Sequence, residues 1–262
     1  MSNLTEYYLG VLTLDAIDLN YLPIEAMILG PDDVHVWHAS LDVRLSKNLA
    51  PVLSEDELTR AHRFDFAKDR HHYIAARGIL RKLLAAYLGS DAAELKFSYA
   101  DKGKPFLNAV SRRTVNFNLA HSHGRAVYAF SSGRELGVDI EFLREDLAEE
   151  KIAERFFSPS EVTVLREVPK ELRNQAFFNC WTRKEAYIKA RGEGLSMPLD
   201  EFDVSLTPGE PAALLKNHKD ERELLRWSMQ SLPIAPGYVA ALVVEGHNWR
   251  LKRYWLREPT QN

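Results

Sequence analysis

One cysteine, Cys180, stands in 262 residues, so the chain can form no intrachain disulfide and no cysteine-built zinc site. A reducing cytoplasm is the natural setting for such a chain. No stretch approaches the roughly eighteen uninterrupted apolar residues of a membrane span. Acids at Glu6, Asp15, Asp18 and Glu25 break up the N-terminus, and no basic segment leads into an apolar run there. Neither export nor membrane insertion is therefore expected. Excess positive charge is also missing, with 34 Lys plus Arg against 37 Asp plus Glu and a formal net charge of -3. Nucleic acid is thus not an expected partner, and any anion site must be local. Neither G-x-x-x-x-G-K-[ST] nor G-x-G-x-x-G nor H-E-x-x-H occurs, which argues against a P-loop phosphotransferase, a dinucleotide fold and a zincin.

What is present is a globular composition, 45% hydrophobic, in a chain long enough for one large domain or two small ones. The stretch Leu136-Gly137-Val138-Asp139-Ile140-Glu141-Phe142 alternates as a strand does, which places Asp139 and Glu141 on the same face. Two neighbouring anions need a cation or a shared proton. A hard divalent ion such as magnesium meets that need with oxygen ligands alone.

Farther along, Trp181-Thr182-Arg183-Lys184-Glu185-Ala186-Tyr187-Ile188-Lys189 reads as helix, with Glu185 and Lys189 as neighbours one turn apart. Lys184 falls within an apolar arc made by Ala176, Phe177, Cys180, Trp181 and Ile188, and so requires a reason. Taken singly, each stretch has an ordinary reading: a solvated D-x-E at a sheet edge, a surface Glu-Lys pair, a lysine stem crossing apolar surface. Their occurrence together favours a site.

These stretches resemble the signature pair of the Sfp-type 4′-phosphopantetheinyl transferases. The likeness extends to Gly103-Lys104-Pro105, to Asn116-Phe117-Asn118-Leu119-Ala120-His121-Ser122, to Arg155-Phe156-Phe157-Ser158 and to Gly192-x-Gly194-Leu195-Ser196, all in the family's order. The resemblance implies an α+β fold of two similar halves related by a pseudo-twofold, with the active site between them. A Ser/Gly-rich turn at Ser131-Ser132-Gly133-Arg134 sets the expected boundary, with residues 1–134 binding the nucleotide of coenzyme A and 135–262 carrying the metal site and carrier docking.

The implied reaction is transfer of 4′-phosphopantetheine from coenzyme A to a serine of an apo acyl or peptidyl carrier protein, releasing 3′,5′-adenosine bisphosphate. The resemblance assigns magnesium to Asp139, Glu141 and Glu185, and coenzyme A to Arg60, His72, Lys104, His121, Asp139, Lys184 and Lys189. Glu185 is the candidate base and Glu141 its rival, while Lys189, with Lys184 near by, would neutralise the departing bisphosphate. The chain departs from the family pattern at His72, often arginine in relatives, and at Ala120, often serine. Because the chain contains both halves, a monomer is expected. The competing readings are a magnesium-dependent nucleotide phosphotransferase and a non-catalytic coenzyme A or carrier-binding module.

Local patterns complete the expectation. Val34 to Ala39 alternates as a strand, and Ser54-Glu55-Asp56-Glu57 is a capping box opening a helix that carries Arg60 and Arg63. A helix from Ala67 to Leu88, stopped by Gly89, should align Arg70, Arg77 and Arg81 as a basic stripe, which the resemblance turns toward coenzyme A phosphates. Leu95–Tyr99, Val115–Leu119 and Ala126–Phe130 read as strands, the last two as a hairpin turning at His121–Gly124. His71-His72 with His121 and His123 could suggest zinc, a reading not favoured without cysteine or H-E-x-x-H. In the second half, helices are expected over Leu147–Phe156, from Ser158-Pro159-Ser160-Glu161, and over Glu171–Arg191, followed by strands near Phe202–Leu206, Tyr238–Val244 and Trp249–Trp255. Arg155, Phe156 and Ser158–Arg166 are candidates for carrier docking, and residues 1–33 have no assigned role.

Overall fold

A computed structural model describes residues 5–6, 27–107, 115–145, 149–194 and 197–256. In chain order its elements are β1 (Thr5–Glu6), β2 (Asp33–Ser40), α1 (Val43–Leu49), α2 (Glu55–Ala61), α3 (Ala67–Leu88), β3 (Phe97–Tyr99), β4 (Pro105–Leu107), β5 (Asn116–Ser122), β6 (Arg125–Ser131) and β7 (Leu136–Phe142). There follow α4 (Glu149–Phe156), α5 (Pro159–Glu167), α6 (Lys170–Arg191), β8 (Phe202–Val204), β9 (Leu214–Asn217), α7 (Glu223–Arg226), β10 (Trp227–Ser231), β11 (Tyr238–Glu245) and β12 (Arg250–Leu256). Most of the N-terminal segment, Leu147 and the Leu195-Ser196 pair lie outside the described residues. The short strands β9 and β10 were not expected from sequence; at four and five residues each, with mixed polarity, they alternate too weakly to stand out.

Two halves follow the same plan. A five-stranded sheet runs β1-β12-β2-β6-β5 and a three-stranded sheet runs β10-β11-β7. The antiparallel trio β2-β6-β5 of the first corresponds to β7-β11-β10 of the second, with a short capped helix and then a 22-residue helix after the first strand of each trio. Both long helices end at a glycine in the left-handed region, Gly89 with φ 66° and Gly192 with φ 72°, the conformation that terminates a helix at least cost. The fold is α+β, as expected, and the order of elements repeats between the halves. The C-terminal strand breaks the expected division at residue 134: β12 adds in parallel to β2, so residues 250–256 belong to the first half's sheet.

The layers follow from alternation. Val34 and Val36 of β2, Val127 and Ala129 of β6, Val138 and Ile140 of β7, and Leu242 and Val244 of β11 form one core between the two sheets. The opposite faces carry the helices: Trp37, Tyr128 and Phe130 lie against Ile79, Leu80 and Leu83 of α3, while Ala241 and Val243 lie with Phe177, Ala186 and Ala190 of α6. Period two thus sends Val138 and Ile140 to the sheet stack and Asp139 and Glu141 to the α6 side.

Each short helix is clamped by a buried ion pair. In the first half Glu57, 1% exposed, takes Arg77 and Arg81 of α3; in the second, Glu161 takes Lys184 of α6 at 2.7 Å. Two of the three arginines of the expected basic stripe are therefore not available to a phosphate. Arg77 and Arg81 are buried, with Phe97 beneath both guanidinium groups and Arg81 also donating to the carbonyls of Ala92 and Leu95.

His38 on β2 makes the fold sensitive to acid. It is 5% exposed, stacks on Trp255 and has no hydrogen-bond partner for either ring nitrogen among the described residues. Burial, reinforced by the Arg253 charge, lowers its pKa from 6.5 to about 3. The neutral ring is the one the fold accepts, so its contribution is complete above the unfolded value and lost as pH falls through the interval between the two. Stability should drop by about 1.4 kcal/mol per pH unit below that upper value from this group alone. Urea unfolding at pH 7 and pH 4.5 checks it: His38→Phe, which preserves the stacking, should flatten the difference by about 2–3 kcal/mol.

Candidate active site

The acids predicted from sequence meet at the junction of the halves. Gly137 makes this possible, because α6 passes so close to β7 that a Cβ there would run into the Ala186 carbonyl and the Ala190 amide. The approach brings Glu185 and Lys189 of α6 over the acidic face of β7.

Asp139 is 5% exposed. Its Oδ1 accepts from the Lys189 ammonium at 2.6 Å, while Oδ2 is buried with no partner among the described residues. Burial pushes its pKa up against the opposing pull of Lys189. Glu141, also raised by burial and then by Asp139, accepts from the Ser122 hydroxyl at 2.9 Å. Glu185 is pushed up to about 7 by burial and then by the Asp139 charge. Burial opposes the charge on Lys189, but Asp139 and the two glutamates hold its ammonium above the ordinary range. The site is thus short of positive charge.

A cavity of about 390 Å³ opens beside these groups, lined by Lys104, Asn118, Leu119, Glu185 and Lys189 among others. Lys104 bridges the halves, donating to Glu135 at 2.9 Å and to the carbonyls of Ala190 and Leu136 at 3.3 and 3.5 Å. His121 is open to solvent but ringed by protein and near Lys189; burial, then the lysine's charge, lowers its pKa. His72 is half-buried beside the Gly124 turn, also with a lowered pKa, from burial and then Lys68. Arg60 is exposed, over the Tyr73 ring, and is not among the residues lining the cavity.

Lys184 requires a correction. Its ammonium is 0% exposed and is occupied by Glu161, by the Leu199 carbonyl at 2.6 Å and by that of Phe202 at 2.5 Å. It holds α5 and the β8 approach onto α6 and does not line the cleft. Sequence reasoning missed Ser122 and Asn118 as members of the site's frame. Their signal was the same alternation, since residues 118 and 122 share a face of β5, and both reach β7: Asn118 Oδ1 accepts from the Val138 amide at 3.0 Å.

An all-oxygen acid set, with a buried carboxylate oxygen left unpartnered, is a donor set suited to a hard cation. Among the described residues, no three His, Cys, Asp or Glu side chains form a preformed metal cage. Acids, lysines and an open cavity thus come together at the junction of two like halves.

Residues 37–133 match the family model for the N-terminal part of 4′-phosphopantetheinyl transferases, and residues 135–243 match the model of the 4′-phosphopantetheinyl transferase superfamily. The chain is 41% identical over 227 residues to the 4′-phosphopantetheinyl transferase HetI of Nostoc sp., covering 86% of this chain and 92% of that one. To the 4′-phosphopantetheinyl transferase Sfp of Bacillus subtilis it is 32% identical over 154 residues, covering 59% and 66% respectively. The chain belongs to the 4′-phosphopantetheinyl transferase superfamily. It is a transferase that moves the phosphopantetheine group of coenzyme A onto a carrier protein.

Proposed function

We propose that Asp139, Glu141 and Glu185 hold a magnesium ion, and that Glu185 is the base that activates the carrier serine. The observation that carries this reading is the buried Asp139 carboxylate, with Lys189 on one oxygen and no protein partner on the other. Magnesium bound there would supply charge neutralisation for the pyrophosphate of coenzyme A.

The chain's own groups do the rest. The serine oxygen forms a bond to the β-phosphorus as the bond to the bisphosphate leaving group breaks, and the serine proton passes to a carboxylate. Glu185 suits that role because it lines the cavity, which Glu141 does not, and because one oxygen of its rival Glu141 is already engaged by Ser122. The Lys189 ammonium, which also lines the cavity, would neutralise the charge of the departing bisphosphate. His121, His72 and Arg60 would bind the nucleotide side of coenzyme A, with the first half, β12 included, serving that part and the second half the metal and carrier.

Lys104 would grip a phosphate from the cavity wall. Its replacement by alanine should raise KM for coenzyme A about 10- to 100-fold, the worth of one charge-assisted hydrogen bond, and lower kcat less. Steady-state rates across coenzyme A concentrations test this; an unchanged KM would leave Lys104 as a strap between the halves only.

For the carrier, α4 and α5 remain the proposed docking face, where Arg155 is exposed over Phe156. The site lies between halves of one chain, which supports a monomer. The single, buried Cys180 supports a cytoplasmic setting, and no helix among the described residues is long and apolar enough to cross a membrane. The test is the intact mass of an apo carrier incubated with this protein, coenzyme A and magnesium. A phosphopantetheine-sized gain that disappears with chelator supports both reaction and ion; a gain that persists with chelator would remove the metal.

A further inference from the structure

The two sheets meet along β5 and β7 without sharing a main-chain ladder. Side chains of the first half bridge the seam instead: Lys104 to the Leu136 carbonyl, Asn118 to the Val138 amide, and Ser122 to the far end of β7. Ser122 differs from the other two in touching an acid of the site. Its hydroxyl donates to Glu141 Oε2 at 2.9 Å and accepts from the Phe142 amide at 3.3 Å. The hydroxyl also lies 3.4 Å from His123 Nδ1, but the shorter contact and the acceptor-only carboxylate favour Glu141 for its one proton.

The turn that presents Ser122 is itself held from the other half. His123 has φ 44°, the only positive φ at a non-glycine among the described residues, followed by Gly124 at φ 80°. Such a residue persists only where its surroundings over-determine it. Here the Tyr238 hydroxyl donates to the His123 carbonyl at 2.8 Å, and the His123 ring stacks on Phe142 at 4.9 Å between centroids. The strained tip and its clasp lie immediately beside the Ser122–Glu141 bond.

We propose that Ser122 is a positioning residue for Glu141, supplied by one half of the chain to the acid set of the other. By fixing one carboxylate oxygen it would leave the second free to ligate an ion. The proposal rests on the metal reading given above. Hydrogen bonds behind ligating carboxylates affect affinity by about 10- to 100-fold.

The experiment titrates Mn²⁺ into the full-length chain with saturating coenzyme A, free Mn²⁺ being read by electron paramagnetic resonance. Wild type, Ser122→Ala, Ser122→Thr and Asp139→Asn are compared. Ser122→Ala should bind Mn²⁺ at least tenfold more weakly and need correspondingly more Mg²⁺ for half-maximal transfer. At saturating metal its KM for coenzyme A should be unchanged, and Ser122→Thr, which retains the hydroxyl, should restore affinity. If Asp139→Asn loses Mn²⁺ while Ser122→Ala binds like wild type, the proposal is overturned and the metal reading stands. The same holds if Ser122→Ala merely melts earlier with unchanged Mn²⁺ affinity. If Asp139→Asn also binds normally, the metal reading falls and takes this proposal with it.

Discussion

Glu185→Gln is expected to reduce phosphopantetheine transfer by at least about 10³-fold while leaving the chain folded and no less stable. The amide keeps the shape of the side chain and one oxygen, but it can neither accept the serine proton nor offer a charged ligand. General-base catalysis alone is worth about 10²–10⁴-fold, and a lost metal ligand adds to that. Stability moves the other way. Glu185 stands near Asp139 and Glu141, whose charges raise its pKa after burial has done so, with only Lys189 opposing. No hydrogen bond of its carboxylate is formed among the described residues. Removing its charge relieves like-charge repulsion, so the melting temperature should hold or rise. Carrier mass gain against time, with a thermal melt of the same sample, checks both halves of the prediction. Transfer near the wild-type rate would eliminate Glu185 as base and as ligand together.

The acidic face was legible because alternation is a property of the strand itself: once 136–142 is extended, Asp139 and Glu141 must share a side. What crosses that side was not legible. Gly137 gives no sign in sequence that a helix backbone lies against it, although the site depends on that approach. The capping boxes at Ser54 and Ser158 were visible as local patterns, yet their glutamates turn out to be buried anchors for a distant helix. Arg77 and Arg81 look like a basic stripe for the same reason, since periodicity fixes the face of a helix and leaves its neighbour open. For β12 the strand was readable and its sheet was not. Alternation does not encode a partner, and the chain's last described strand pairs across 217 positions, with Arg250 reaching Asp33.

Lys184→Ala should destabilise the fold by about 3–5 kcal/mol, the usual cost of removing one partner from a buried ion pair. For a chain of this size that is roughly 6–20 °C in Tm. The reason lies in what remains. Glu161, 3% exposed, also accepts from the amides of Ser158 and Val204, and it would retain a buried charge without its counter-ion. The carbonyls of Leu199 and Phe202 would lose their donor as well. Arg81 occupies the corresponding place in the first half, where it joins Glu57 and two carbonyls, so the lysine belongs to the repeated framework. A residue of that kind should alter Tm and leave the chemistry of the folded fraction intact. Melting curves, with KM for coenzyme A measured well below the variant's Tm, separate the two roles: a lowered Tm with unchanged KM is the expected outcome. A normal Tm with a raised KM would return Lys184 to the coenzyme site suggested by its place beside Glu185.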